Sequence, residues 1–275
     1  MSEVQVQRVA FDGGELELEV AGAGPNVVLL HPGLWDRRTW DPQFGRYAER
    51  YRVLRYDARG YGRSSRLEPG VPYSPVEDLA AVMDHVGMDS AGLIGCSMGG
   101  ATAVDFALEH PDRVDALVLA AAGINAEDDL LPEEEAEFER LGAPIETAYE
   151  AGDLEGARVA QMAMWAPLGT EDPAGRRILE IAIDNLHELT MDESGAAAIS
   201  PPANERLEDI SVPTLVLPAD HDPLALQRVS RIYAERIPNA RVVEIPETDH
   251  VLNVRRPAAF DEVVLAFLED VLGRA

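Results

Sequence analysis

The sequence predicts an α/β fold: one mostly parallel sheet of about eight strands with helices on both faces. Three observations predict it. Short runs rich in Val, Leu and Ile alternate with helical patterns through the first half of the chain. From about Ile124 to Glu208 several helix-like segments follow one another without a good strand. Strand and helix patterns then resume, so the chain is expected to return to the same sheet.

The elements follow in order. Val4–Val9 and Glu15–Val20 alternate like half-buried hairpin strands joined across Asp12-Gly13-Gly14. Val27–His31, Arg52–Asp57, Gly92–Cys96 and Ala116–Ala121 are more continuously apolar, as buried parallel strands are. The clearest helix is Pro75–Val86. Ser74 can cap it, Pro75 suits its first turn, Glu77 fits a capping box and Gly87 ends it. A second helix runs from Met98 to His110 and stops at Pro111. Asp128–Arg140 is strongly acidic, while Ala157–Trp165 and Gly175–Leu189 are amphipathic. Pro201-Pro202 closes that stretch. Strands at Pro213–Pro218 and Arg241–Ile245, and helices near Leu224–Arg236 and Pro257–Leu272, complete the chain. The expected division is a core of residues 1–123 and 209–275, with a helical lobe at 124–208.

Composition narrows the function. The 275 residues are 46 % hydrophobic, ample for a sizeable core. The net charge is −27, and all 23 basic residues are Arg. Such a surface repels phosphate backbones and anionic lipids, so neither a nucleic acid nor a membrane is an expected partner. The single cysteine, Cys96, excludes an intrachain disulfide. The first residues lack the basic start and apolar run of a signal peptide, and no stretch approaches a membrane span. The expected location is the cytoplasm. The oligomeric state stays open, a homodimer included.

Chemistry concentrates at Gly95-Cys96-Ser97-Met98-Gly99-Gly100, which fits Gly-x-Ser-x-Gly between a strand and a helix. A serine on that turn is held in strained backbone with its oxygen exposed, and the helix start behind it favours developing negative charge. Neither a dinucleotide glycine pattern nor a phosphate loop is present there. Cys96, next door, is expected to be a small buried hydrophobe.

A serine nucleophile needs a base. Around this kind of elbow the acid and then the histidine follow the serine in sequence. That order removes His31 and His85. Of the later histidines, His250 lies in a loop between a strand and the last helix, at the carboxyl edge of the sheet, where open α/β sheets collect their sites. Asp220 and Asp222 both qualify as the acid. Asp222 is favoured because it precedes Pro223 and opens the next helix; Asp220 is then a turn-stabilising carboxylate. The oxyanion requires two backbone N–H donors. Met98 offers one. Pro32 has none, so the second is Gly33 or Leu34, with Gly33 preferred.

With these residues in place, the chain resembles the α/β-hydrolase superfamily over nearly its whole length. The marks are His31-Pro32-Gly33 with Trp40, Tyr56-Asp57-x-Arg59-Gly60-x-Gly62-x-Ser64, the Ser97 elbow, Pro213–Asp222 and His250. The core is similar to the branch of enol-lactonases, carboxylesterases and cofactor-free perhydrolases. The resemblance implies a helical cap over the site, a covalent acyl-enzyme, and neither metal nor organic cofactor. Ala219 stands where a glycine usually precedes the acid, and Glu247-Thr248-Asp249-His250 replaces the usual Gly-x-Gly-His. Asp249, beside the base, is expected to favour its protonated form. The Asp57–Ser64 stretch is expected to shape a tight, charge-paired loop beneath the site.

The expected function is hydrolysis of a small carboxylic ester or lactone by Ser97, Asp222 and His250 through an acyl-enzyme. A carbon–carbon bond hydrolase, an acyltransferase or a perhydrolase could use the same triad, and a non-catalytic receptor could use the same scaffold. Met162, Met164 and Trp165 are candidates for an acyl pocket, or else for the lobe's own core. Arg158, Arg176 and Arg177 are candidates to meet a substrate carboxylate, or else solvent.

Overall fold

Eight strands pair into one sheet among the described residues: β1 (Gln5–Phe11), β2 (Gly14–Ala21), β3 (Asn26–Leu30), β4 (Arg52–Tyr56), β5 (Ala91–Cys96), β6 (Val114–Ala120), β7 (Thr214–Leu217) and β8 (Ala240–Val242). The computed structural model describes residues 4–11, 14–125 and 130–273. Met1 to Glu3, the turn residues Asp12 and Gly13, and 126–129, where the acidic helix is expected to begin, lie outside them.

The sheet order is β1-β2-β4-β3-β5-β6-β7-β8. The β1–β2 and β2–β4 pairs are antiparallel and every later pair is parallel. Alternation along the central strands explains why both faces are covered. Val28 and Leu30 of β3, with Leu93, Leu117 and Leu119, share one apolar cluster with α2 (Pro75–His85), α3 (Met98–Glu109) and α7 (Leu224–Arg236). Val27, Leu29, Ile94, Cys96 and Val118 face the opposite way. They pack with α1 (Asp41–Tyr47) and α9 (Pro257–Leu272).

Between β6 and β7 the chain leaves the sheet for α4 (Pro132–Glu150), α5 (Leu154–Trp165) and α6 (Pro173–Asp184), followed by short 3₁₀ turns. A third apolar cluster joins these helices to the body. Met162 and Ala166 meet Ile178 and Ile181 on one side and Trp35, Val251 and Val254 on the other.

Strand order also places the site. The chain moves from β3 to β4 on one side and to β5 on the other, so β3 and β5 are neighbours whose following loops diverge. Such a reversal leaves a crevice at the carboxyl ends of the strands. The loop of Gly33 follows β3, the Ser97 turn follows β5, and Asp222 and His250 follow β7 and β8.

Several boundaries differ from the sequence reading. The last strand spans only Ala240–Val242 rather than 241–245, because it pairs on one side alone, with the four-residue β7. The acidic helix runs on to Glu150 through Gly142 and Pro144. A proline inside a helix removes one hydrogen bond, and packing along α5 outweighs that loss. The segment ending at Leu189 is helical only to Asp184 and then tightens to 3₁₀. α1 and α8 (Leu252–Arg255) have no counterpart in the sequence reading, being too short for a period to show.

Candidate active site

Ser97 sits at φ 50° and ψ −117°, a left-handed backbone that a non-glycine residue rarely adopts. The surrounding structure enforces it. Its N–H donates to Ala120 O at 3.1 Å, and its C=O accepts from Ala101 N at 2.9 Å and Gly123 N at 3.0 Å. The flanking glycines are steric requirements. A Cβ on Gly95 would lie 2.3 Å from the Gly99 oxygen, and one on Gly99 would lie 2.4 Å from the Leu30 oxygen. The first turn of α3 is thus pressed onto the end of β3, which brings the Gly33 loop beside the serine. A Cβ on Gly33 would lie 3.9 Å from the Met98 sulfur. Met98 opens α3, where backbone N–H groups have no intrahelical acceptor. Leu34, at φ 67°, turns the loop sharply just after Gly33.

His31 anchors that loop. Its Nε2 accepts from Ala58 N at 2.9 Å, so its proton is on Nδ1, which donates to Pro32 O at 2.8 Å. Burial lowers its pKa and keeps the ring neutral, as this pair of bonds requires. Beneath it, Asp57 accepts from Arg37 N at 3.0 Å and Arg63 N at 2.9 Å and is ion-paired with the Arg37 guanidinium. Glycine is required at 62: at φ 51°, a Cβ there would lie 2.3 Å from the Asp57 carboxylate. Ser64 Oγ closes the loop onto Asp57 O at 2.6 Å, and Arg59 pairs with Asp78 at 2.6 Å.

Asp222 and His250, 28 residues apart in sequence, meet at 2.9 Å between Oδ1 and Nδ1. Both side chains are almost fully buried. A carboxylate only accepts, so Nδ1 carries the proton and Nε2 is left as an acceptor. Asp220 has another position. Its carboxylate takes the N–H groups of Glu247 at 2.8 Å and Thr248 at 2.7 Å, stapling the loop after β7 to the loop that carries the histidine. Burial works to raise its pKa, but these two donors prevail and lower it.

Asp249 differs from the sequence expectation. Its carboxylate is fully buried and is taken by Arg255, at 2.6 and 3.1 Å, rather than held for the imidazole. Arg255 also reaches Gly169 O at 3.0 Å and Asp172 at 3.3 Å, tying the histidine loop to the inserted helices.

The lobe candidates separate. The Trp165 ring lies 4.6 Å from the His250 ring, centroid to centroid. Met162 is buried in the cluster that joins α5 and α6 to the body. Met164 is buried as well. Arg158 is wholly buried and donates to Glu188 at 2.6 Å and Asn185 O at 3.2 Å. Arg177 pairs with Asp41 and Glu180, and Arg176 bonds to Glu171 O. Two further contacts escaped the sequence reading. Trp35 lies 6.4 Å from the His250 ring and donates from Nε1 to Ile178 O at 2.9 Å. The Cys96 thiol donates to His250 O at 3.3 Å. Only the nearness of Trp35 to the Gly33 loop could have suggested the first. Nothing in the sequence marks the second.

The arrangement can take a proton from an alcohol and hold a new negative charge beside a helix start. Known proteins carry the same frame. A family model described as alpha/beta hydrolase fold matches residues 26–257. A protein of Azorhizobium caulinodans named "Putative carbamate hydrolase RutD" is 29 % identical, over 94 % of this chain and 97 % of that one. A hydrolase from Pseudomonas aeruginosa PA01 has a structure that superposes with TM-score 0.77 at 29 % identity, covering 96 % of this chain and 98 % of its own. The enol-lactonase from Burkholderia xenovorans LB400 superposes with TM-score 0.77 at 25 % identity, covering 95 % and 99 %.

Proposed function

Because the chain belongs to the alpha/beta hydrolase fold family, we propose that it is a serine hydrolase acting on a small carboxylic ester or lactone. Ser97 attacks the acyl carbon while His250 Nε2 takes its proton. Asp222 holds the imidazole by Nδ1 and stabilises the imidazolium. The N–H groups of Met98 and Gly33, with Leu34 shaping the turn, receive the oxyanion. His250 returns the proton to the leaving oxygen, and water then hydrolyses the acyl-enzyme by the same steps reversed.

One observation carries the reading: a buried Asp222–His250 pair at 2.9 Å, whose histidine backbone touches Cys96, the residue before a strained serine. Residues 124–208 act as a cap over the core formed by 1–123 and 209–275. Supporting this are the Trp165 ring on His250 and the tie from Arg255 to Gly169. The relatives' names span a carbamate and an enol-lactone, both acyl carbons that bear a heteroatom leaving group.

The test is a panel of esters, lactones and carbamates run against the wild type and Ser97→Ala, with a fluorophosphonate probe alongside. The expected result is turnover that falls by at least about 10³-fold in the variant, with labelling at Ser97 alone. Unlabelled Ser97 in folded protein, or undiminished turnover in the variant, would overturn the reading.

A further inference from the structure

A ring of contacts closes through Arg255, and the proposed base is one of its members. Arg255 ends α8, and its side chain is 4 % exposed. Every nitrogen of its guanidinium is engaged. Nε and Nη2 donate to Asp249 Oδ2 at 3.1 and 2.6 Å. Nη2 also donates to Gly169 O at 3.0 Å, and Nη1 reaches Asp172 Oδ1 at 3.3 Å. One side chain therefore holds the residue before His250, the turn after α5 and the residue that caps α6.

The turn after α5 carries this hold to Trp165. Gly169 N donates to Ala166 O at 2.9 Å, and Ala166 N donates to Met162 O at 2.9 Å. Trp165, the last residue of α5, lies inside the second of these turns, and its ring is 4.6 Å from that of His250. The start of α6 is fitted as closely. Asp172 Oδ1 accepts from Gly175 N at 2.6 Å, and a Cβ on Gly175 would lie 2.3 Å from Gly169 O and 3.1 Å from Arg255 Nη1. Only glycine lets the helix come this near. The path runs from His250 through Asp249, Arg255, Gly169 and Ala166 to Trp165, and returns to His250 ring to ring.

Stability alone is a poor reason for such a group. Two buried charges lose hydration that their attraction barely repays, and an apolar pair of similar size often serves as well. A long side chain with every donor placed also gives up rotamer freedom. What a guanidinium adds is direction, because its planar fork fixes the segments it bonds relative to one another. Cys96 and Asp220 hold the histidine loop from the core side. Arg255 holds it from the side of the inserted helices. We propose, on the serine-hydrolase reading, that Arg255 is a positioning residue for the reaction at Ser97. It sets the His250 loop and the end of α5 in one register, so that Trp165 seats on the imidazole and the ring keeps its aim at the serine.

The test uses the full chain in two variants. Asp249→Asn/Arg255→Gln cancels both charges together and strands neither. Arg255→Lys keeps the charge but gathers its donors on one nitrogen, which cannot span the three segments. Folding is checked by circular dichroism, and esters turned over by the wild type are assayed well below the melting temperature. 5-Fluorotryptophan is incorporated for fluorine NMR, the Trp165 resonance being the one lost in Trp165→Phe. In the double variant kcat is expected to fall by about tenfold or more, with a smaller change in KM. The Trp165 resonance should move while those of Trp35 and Trp40 stay. Arg255→Lys should change both readouts in the same direction by less, and it decides by the same criteria if the double variant does not fold. A merely structural role would lower the melting temperature and leave kcat and the Trp165 resonance of the folded protein unchanged. That result overturns the proposal, as does a loss confined to KM or a fall in kcat with the Trp165 resonance unmoved. A wild type that turns over no ester and leaves Ser97 unlabelled by the fluorophosphonate sinks the hydrolase reading itself, and this role with it.

Discussion

The thiol of Cys96 donates to the main-chain oxygen of His250 across 3.3 Å, so the residue beneath the elbow holds the backbone of the proposed base. Cys96 is fully buried, and burial pushes its pKa well above the usual thiol range. Iodoacetamide should therefore leave the native protein unmodified and label it only in denaturant. Cys96→Ala should lower stability by about 1–2 kcal/mol, from a lost hydrogen bond and a small void. Rapid native labelling would contradict this burial.

Asp222 and Asp220 should fail in different ways. Asp222→Asn keeps the shape but loses the carboxylate that orients Nδ1, so kcat should fall by about 10²–10⁴-fold with little change in KM. Asp220→Ala leaves the Glu247 and Thr248 N–H groups without their acceptor. It should cost about 1–3 kcal/mol of stability, measured by urea unfolding. Equal kinetic losses in both variants would count against the assignment.

The glycines make a paired prediction. Gly99→Ala forces a Cβ to within 2.4 Å of the Leu30 oxygen and should cost more than about 3 kcal/mol or prevent folding. Gly45→Ala, in α1 with nothing within 4 Å of the new atom, should instead stabilise by about 0.5–1 kcal/mol. Thermal melts of the two variants read both outcomes.

Arg255→Met would strand the fully buried Asp249 carboxylate, whose Oδ1 already lacks a partner. Breaking one side of such a pair should destabilise by about 3–5 kcal/mol. Asp249→Asn combined with Arg255→Met should recover part of that loss. A double-mutant cycle in guanidinium measures the coupling, and simple additivity would show that the pair is not coupled.

Asp105 predicts a pH dependence. Burial raises its folded pKa to about 6, above the ordinary 3.8, so the native state holds this proton more tightly than the unfolded chain does. The resulting stability is complete below about pH 4 and is lost as pH rises through about 6. Asp105→Asn removes this titration and should be more stable than wild type at pH 7, by about 3 kcal/mol at most. Urea unfolding from pH 4 to pH 8 should show the two curves separating upward through that window. Parallel curves would mean that Asp105 does not titrate there.

Much of the fold was legible because its signals are local. Alternation in Glu15–Val20, the continuous apolar runs of β3 and β5, and Ser74-Pro75 at the start of α2 each act over a few residues. The elbow was legible because Gly95, Ser97 and Gly99 stand within one turn of chain, and the Gly95 clash is with Gly99 itself, although the clash that requires Gly99 is with the distant Leu30. The short helices α1 and α8 were not, because four to seven residues carry less than two turns of period. Nor was the end of β8, which depends on where its single neighbour stops.

By itself the sequence determined the α/β class, the strained serine turn, and a short list of acids and histidines in the right order. Only the tertiary structure decided how those side chains pair. It set Asp222 on the imidazole, turned Asp220 to two backbone N–H groups, gave Asp249 to Arg255, and left one oxygen of Asp105 unpartnered. The reason is range. Backbone preference and side-chain period are written in neighbouring residues, whereas a buried charge takes its partner from whichever distant loops the closed sheet brings together.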